Sequence, residues 1–506
     1  MVSASGNTVG AYILRHCEFY SELPALRFLR DGRRKEIRYG QLRELSMELG
    51  VGLRLLGLSP GDRVAIVGAA TPEWILAFAA IQVAGLVDVA YDEQSDPQRI
   101  SRVLAETEAR VLFSDNEHLL QSMAGLSPDT RCIHLSWRNF REHRTAGVRQ
   151  SLADLQRRGR TPGGRILATE ALRGRLVDDP ASIMYKRPDR ANRSRAVVLT
   201  HRNILANLES FASTLALTEG DDLQLGFPLW HSAGRFAFYL TLRNSATLCL
   251  SGRASFADDL QRYRPTLALA DAEQWQQFYA RVEFGHPEER LQGLFLRRLY
   301  LRISALWNRL TGFIFEEKSE PGQGTSAASW LALFFVIPAL ILVFPFKAAG
   351  DFRFKRAIYR RLGGRLRVIL TGGSAVSRRV DQLFQTIGVP LLAGYWLTEA
   401  SHIAACRRLV WTGQRSRLTP GTVGPILPGT AMRLVDHRGE DVSNIVGAVG
   451  EVYLQGQHVM QGYFRNPVLT AEVLDDQGWL RTGDRGRLTA SGDLVLLPRQ
   501  SRIDAL

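Results

Sequence analysis

Cysteine is scarce in this chain: Cys17, Cys132, Cys249 and Cys406 are spread over 506 positions. None forms a CxxC pair and none has a His pair beside it, so they build neither a zinc centre nor a disulfide framework. Buried, unreactive thiols in a reducing compartment are the expectation. The start of the chain lacks the basic residues, apolar run and small-residue cleavage site of a secretory signal, and cytoplasmic residence is expected. No segment repeats at a solenoid period. No nucleic-acid module appears, and no nucleic-acid partner is expected.

Acidic charge is short as well: 50 Asp+Glu stand against 64 Lys+Arg, a net charge of +14. The excess suits a polyphosphate ligand or an anionic lipid surface, although solvation alone accounts for any single basic cluster. A hydrophobic share of 45% with 23% charged residues excludes a disordered or fibrous chain. The length calls for more than one domain.

Long apolar runs are absent but for one, Trp330–Phe346 (WLALFFVIPALILVFPF), closed by Lys347. As a helix it reaches about 26 Å, at the short edge of a ~30 Å hydrocarbon core. Pro338 and Pro345 are expected to kink or stop it. Arg353, Lys355, Arg356, Arg360, Arg361, Arg365 and Arg367 follow, a cluster suited to anionic headgroups. The run reads as a buried helix, an interfacial anchor or a single span.

The early chain alternates element types. RVAIVG (63–68) reads as a strand, and TPEWILAFAAIQVAG (71–85) as a helix capped by Thr71, with Pro72 in its first turn and Gly85 at its end. LVDVAY, SRVLAETEA and RVLFSD continue the strand–helix–strand pattern, which predicts an α/β fold with parallel-rich sheets. Residues 150–177, rich in Arg and Gly, read as a connector or exposed arm. From Gly421 short strands alternate with Gly and Pro turns, predicting a smaller β-rich unit. The expected division is 1–178, 179–420 (with the apolar insertion 330–346) and 421–506.

Four late segments carry chemistry. Thr371-Gly372-Gly373-Ser374 follows a strand, and its glycines let backbone approach a flat ligand. Gly394-Tyr395-Trp396-Leu397-Thr398-Glu399 offers a ring for stacking, a hydroxyl for phosphate and a carboxylate for Mg²⁺. Trp479-Leu480-Arg481-Thr482-Gly483-Asp484 presents a carboxylate on a tight turn, suited to ribose hydroxyls. Arg499 follows the strand LVLLP. Singly these are a turn glycine, a core tyrosine or a solvated aspartate; their order and spacing make the signal.

Together YWLTE (395–399), GTVG (421–424), GEV…GYFRNPVLT (450–470), GWLRTGD (478–484) and PRQSR (498–502) resemble the AMP-forming acyl-CoA synthetases. LTHRN (199–203), FPLWH (227–231) and GDRVAI (61–66) extend the resemblance over most of the chain. The insertion before the GG turn looks most like the long-chain fatty acid branch. The resemblance implies an adenylate-forming fold and a long-chain fatty acid–CoA ligase using ATP, Mg²⁺ and CoA. It implies adenine beside Tyr395, Gly372 and Gly373, ribose on Asp484 and Arg499, phosphate on Thr398, and metal on Glu399 and Thr398. His231 would then sit near the acyl group and α-phosphate.

The family's phosphate loop, YTSGTTGxPKGVMLTH, reads here Tyr185-Lys-Arg-Pro-Asp-Arg-Ala-Asn-Arg-Ser-Arg-Ala-Val-Val-Leu-Thr-His201. It has no glycine and one hydroxyl, Ser194, while Arg195 is the nearest match to the loop lysine. Lys186, Arg187, Arg190, Arg193 and Arg195 make either a side-chain phosphate site or a merely basic loop. Trp396 replaces a glycine, and Arg502 stands at the hinge position. The family's lid domain is expected to be missing, with a separate lid polypeptide as one partner. The alternative function is an inactive or impaired relative binding acyl chain, nucleotide or a partner. Because residues on both sides of 330–346 contribute to one expected pocket, an interfacial or buried helix is expected rather than a span, with peripheral contact of 330–367 on the inner face of an anionic membrane as one partner.

Overall fold

The computed structural model describes residues 8–498 apart from 138–149, 187–194, 216, 285–290, 317–326, 410, 413–414 and 417–418. Arg187–Ser194 of the loop, Arg499 and Arg502 lie outside the described residues. Two eight-stranded sheets and one four-stranded sheet form the framework, with a two-stranded pair beside them. One large sheet runs, in spatial order, His402–Cys406, Leu391–Leu397, Val368–Gly372, Leu267–Asp271, Asp222–Leu225, Thr247–Leu250, Pro24–Arg30 and Arg33–Arg38. Its inner pairings are parallel and both edge pairings antiparallel. The other is built on Val87–Ala90, Arg63–Val67, Val111–Ser114 and Arg131–His134, all parallel, with the antiparallel Pro180–Tyr185 and Ala196–Thr200 pair on one side. The small antiparallel sheet runs from Thr430 to Leu496.

This is the mixed α/β, parallel-rich architecture with a smaller β unit that the alternation predicted. Strand pairing nevertheless crosses the expected boundary at 178/179. Residues 24–38 pair within the sheet of residues 222–406, whereas 180–200 pair with strands before 151 and with Gly462–Tyr463.

The helix Pro72–Val83 forms where its signals placed it: the Thr71 hydroxyl accepts from the Trp74 amide at 3.3 Å and Pro72 opens the first turn. Every residue of this helix is buried, because it lies in the core between layers rather than on one face. Phe78 packs edge-on against Phe238 and Tyr239. Beside them a buried ion pair, Arg235 Nη2 to Asp88 Oδ2 at 2.5 Å, joins the helix Ser232–Arg243 to a strand of the other large sheet. The Arg235 guanidinium also lies 4.4 Å from the Phe78 ring centroid.

The 150–177 stretch is not a connector. It forms the helices Leu152–Gly159 and Gly164–Arg173, the first closed by a capping box of Ser151 and Asp154. Its glycine is a contact surface. A Cβ on Gly159 would stand 1.7 Å from the Glu48 carbonyl oxygen, and one on Gly52 2.4 Å from that of Leu155. Two helices thus touch backbone to backbone, which only glycine permits.

Beyond residue 290 the helices Leu291–Glu316 and Ala327–Gly350 pack on each other, and the second continues through both prolines. Tyr300 donates to Asp351 Oδ1 at 2.6 Å, and Lys347 to Asp351 Oδ2 at 2.5 Å. From Val336 to Phe346 no side chain is buried, so a buried helix is not what these residues form. Among the described residues, no helix is long and apolar enough to cross a membrane. Two members of the expected basic cluster pair with carboxylates while staying half exposed, Arg365 with Asp222 at 3.6 Å and Arg367 with Asp221.

His201 and His458 are buried at 1% exposure, and burial pushes both imidazoles from 6.5 down to about 4. His201 Nδ1 accepts the Val9 amide at 3.2 Å, which requires that nitrogen to be unprotonated. Below pH 6.5 the unfolded chain takes protons that the folded chain refuses, so stability falls as pH drops towards 4. The expected slope is at most about 1.4 kcal/mol per pH unit per histidine. Urea midpoints should therefore fall from neutral to mildly acid pH, and less steeply in His458→Gln. A midpoint independent of pH would contradict the assignment.

Candidate functional site

The strand Leu391–Leu397 and the turn Thr398–Ala400 that follows it collect contacts from all three larger sheets. The Tyr395 hydroxyl donates to Asp484 Oδ2 at 2.7 Å, and Tyr395 is buried. Asp484 is not on a turn but on an outward bulge of the strand Leu480–Leu488. Glu451 pairs with Arg485 and Tyr453 with Arg481, so Thr482, Gly483 and Asp484 are pushed out together. Gly483 supplies the positive φ of 75°, and the Thr482 hydroxyl donates to the Val452 carbonyl at 2.7 Å. The expected adenine ring and ribose carboxylate therefore meet in one place.

Glu399 is buried at 6% exposure, and its carboxylate is fully engaged. Lys186 Nζ donates to Oε1 at 2.8 Å and to Oε2 at 3.0 Å, and the Tyr463 hydroxyl donates to Oε1 at 3.0 Å. Burial raises this carboxyl's pKa, but the Lys186 charge and hydrogen bonds, with Tyr463, hold it below the ordinary carboxylate value. Arg195 adds a second cation: its Nη1 lies 3.5 Å from the Tyr463 hydroxyl and its guanidinium 5.8 Å from that ring's centroid. The Lys186 amide donates to the Arg195 carbonyl at 3.0 Å, closing the strand pair that carries both residues. The turn is fixed from behind, where the Met460 amide donates to the Glu399 carbonyl at 2.8 Å. Thr398 opens the turn half-buried.

Gly372 ends its strand opposite Gly394, with Gly373 in the left-handed region at φ 82°. The indole of Trp396 lies directly over Gly372: an added Cβ would come within 2.3 Å of the ring. The same indole packs against Phe227 and His402, with centroids at 5.5 and 4.6 Å. His231 stacks on Phe227 at 5.3 Å, and its Nδ1 accepts the Ala233 amide at 3.1 Å to cap the helix behind it. Thus Trp396, on the same strand as Tyr395, forms one aromatic wall with Phe227, His231 and His402 over Gly372.

The structure brings together Gly372, Gly373, Tyr395, Thr398, Glu399, Asp484, Arg195 and His231 around this strand and turn. Sequence reasoning missed Lys186 and Tyr463 as partners of Glu399, and His402 altogether. His402 is fully buried at φ 142°, and its Nδ1 lies 3.3 Å from the Ser232 hydroxyl. Burial, and then the nearby His231, push its imidazole well below the usual range, so it is neutral. Nothing in its local sequence marks it. Tyr463 carried a signal in the motif GYFRNP, which did not say where its hydroxyl points.

A hexacoordinate Mg²⁺ needs oxygens about 2.1 Å away. The one buried carboxylate at its expected place is held by an ammonium, and no group of three His, Cys, Asp or Glu among the described residues suits a metal. As arranged, these residues do not fit the ion.

Residues 14–185 and 193–464 match the model of the family described as AMP-binding enzyme, the break falling on the rewritten loop. The chloroplastic long-chain-fatty-acid–acyl-carrier-protein ligase of Arabidopsis thaliana is 25% identical over 472 residues, 89% of this chain and 63% of that protein. A long-chain-fatty-acid–CoA ligase of Mycobacterium tuberculosis is 26% identical over 464 residues, 90% of this chain and 68% of its own. The chain thus spans 63% of the Arabidopsis relative's length. A crystal structure of an anthranilate CoA ligase in complex with anthranoyl-AMP matches with a TM-score of 0.70 at 19% identity, covering 97% of this chain and 78% of that one. With the family model covering most of its length and the same fold in solved structures, this chain belongs to the AMP-binding enzyme family.

Proposed function

We propose that the chain takes part in ATP-dependent activation of a long-chain fatty acid. The observation that carries this is the meeting of Tyr395 and Asp484 at 2.7 Å, beside the glycines of 372–373, within a family match covering both sides of the loop. Adenine would lie against Tyr395, Gly372 and Gly373, with the ribose hydroxyls on Asp484 and, beyond the described residues, Arg499. Lys186, Arg195 and Thr398 would face the phosphates, and His231 the acyl group and α-phosphate. A carboxylate oxygen attacks the α-phosphorus, the bond to the β-phosphate oxygen breaks, and pyrophosphate leaves with that electron pair. A thiol then attacks the acyl carbon and AMP leaves. The thiol is CoA in this reading; the named relatives include both CoA and acyl-carrier-protein ligases. No step is assigned to Mg²⁺, because Glu399 is engaged by Lys186. The comparisons favour activation over the inactive alternative.

The same proposal includes a membrane contact. Ile337, Ile341, Leu342, Phe344, Phe346 and Phe352 are all at least half exposed on one helical arm, from 50% to 81%. Arg353, Arg356 and Arg360 beside them are exposed too. Apolar rings and aliphatic chains flanked by guanidinium groups suit the interface of an anionic bilayer, where a fatty acid substrate also partitions.

Two measurements test these parts. Palmitate-dependent ATP–pyrophosphate exchange is expected, reduced about tenfold or more in Asp484→Ala by the loss of a charged hydrogen bond to ribose. No exchange, or exchange indifferent to Asp484, contradicts the activation reading. Sedimentation with phosphatidylglycerol vesicles should exceed that with phosphatidylcholine and fall about tenfold in an Ile341→Glu, Phe352→Glu double variant. Equal sedimentation of both proteins contradicts the membrane contact.

A further inference from the structure

A carboxylate buried as deeply as Glu399 must be neutralised by something. In this chain the neutralising group is covalently part of the fold. Lys186 stands one residue beyond the strand Pro180–Tyr185, and its ammonium bridges both Glu399 oxygens at 2.8 and 3.0 Å. The remaining donor on Oε1 is the Tyr463 hydroxyl at 3.0 Å, itself beneath the Arg195 guanidinium. One negative charge is thus faced by two fixed cations and a phenol. A divalent ion entering here would lose the carboxylate lone pairs to Lys186. It would also be repelled by Lys186 and Arg195 in a medium that screens poorly.

We propose that the Lys186 ammonium is the resident cation at Glu399, standing where a divalent metal ion would otherwise bind, and that Lys186 and Arg195 meet a polyphosphate directly. The first half stands on the Lys186–Glu399 pair alone. The second half rests on the nucleotide reading above. The two halves make different demands on metal ions. Such a chain needs no divalent ion to hold nucleotide phosphates, because its positive charge is built in.

Mn²⁺ titration of the nucleotide-free chain, followed by the electron paramagnetic resonance of the free ion, tests the first half. Wild type and Lys186→Arg are expected to take up no stoichiometric Mn²⁺, and Lys186→Thr to gain a site that Glu399→Gln in the same background removes. One Mn²⁺ per wild-type chain, lost in Glu399→Gln, overturns the proposal and leaves fatty acid activation standing. This outcome can be read from wild type and Glu399→Gln even if Lys186→Thr does not fold.

Affinity for α,β-methylene-ATP, measured with Mg²⁺ and with chelator, tests the second half. Wild type should bind equally in both, and Lys186→Thr about tenfold more tightly with Mg²⁺, a difference of about 1.4 kcal/mol. A wild-type chain that binds about tenfold better with Mg²⁺ overturns the second half. Absence of nucleotide binding in both conditions overturns it together with the nucleotide reading, while the Mn²⁺ result still decides the first half.

Discussion

A carboxylate taken out of water has to be paid in opposite charge at short range, and around Glu399 this requirement organises the site. Removing Lys186 would leave the Glu399 charge uncompensated, a cost that solvent around the one-third-exposed ammonium reduces. Satisfying it draws Lys186 from one large sheet, Tyr463 from the segment pairing with that sheet, and Glu399 from the turn that ends a strand of the other. The pair therefore does two things at once. It ties a strand end of one large sheet to the turn after a strand of the other, and it sets the sign and placement of charge where phosphates are expected.

A second buried ion pair, Arg235 with Asp88, ties a helix to a strand and lies in the core. Ser182 and Gln82 also bond to Asp88, at 3.0 and 2.9 Å, so that carboxylate is committed to structure. Glu399 differs because Lys186 begins the segment at which the family match breaks off. One ion pair fixes the layers; the other lies where the proposed nucleotide phosphates would bind. Trp396, packed against Phe227, lies on the strand leading into the Glu399 turn, so the aromatic wall and the ion pair are joined through one strand.

Local signals were legible in the sequence and distant ones were not. Thr71 and Pro72 began a helix because capping is decided within four residues. The order of Gly372, Tyr395, Glu399 and Asp484 pointed to a nucleotide pocket because motif spacing survives even where the fold cannot be computed by eye. Lys186 read as one cation in a basic loop, since its partner lies 213 residues away. Asp484 read as a turn residue because TGD looks like a turn; pairing with Glu451 and Tyr453 makes it a bulge. Glycines and arginines in 150–177 suggested a linker, whereas Gly159 and Gly52 allow two backbones to touch. In each case the deciding contact is non-local.

In the proposed reaction a fatty carboxylate attacks the α-phosphorus of ATP at this strand and turn. Palmitate labelled with ¹⁸O in its carboxylate, incubated with the chain, ATP and a thiol acceptor, tests it most directly. The expected result is ¹⁸O in the phosphate of the AMP released, and none in pyrophosphate. Label appearing in pyrophosphate or inorganic phosphate, or no labelled AMP from a folded chain, would contradict it.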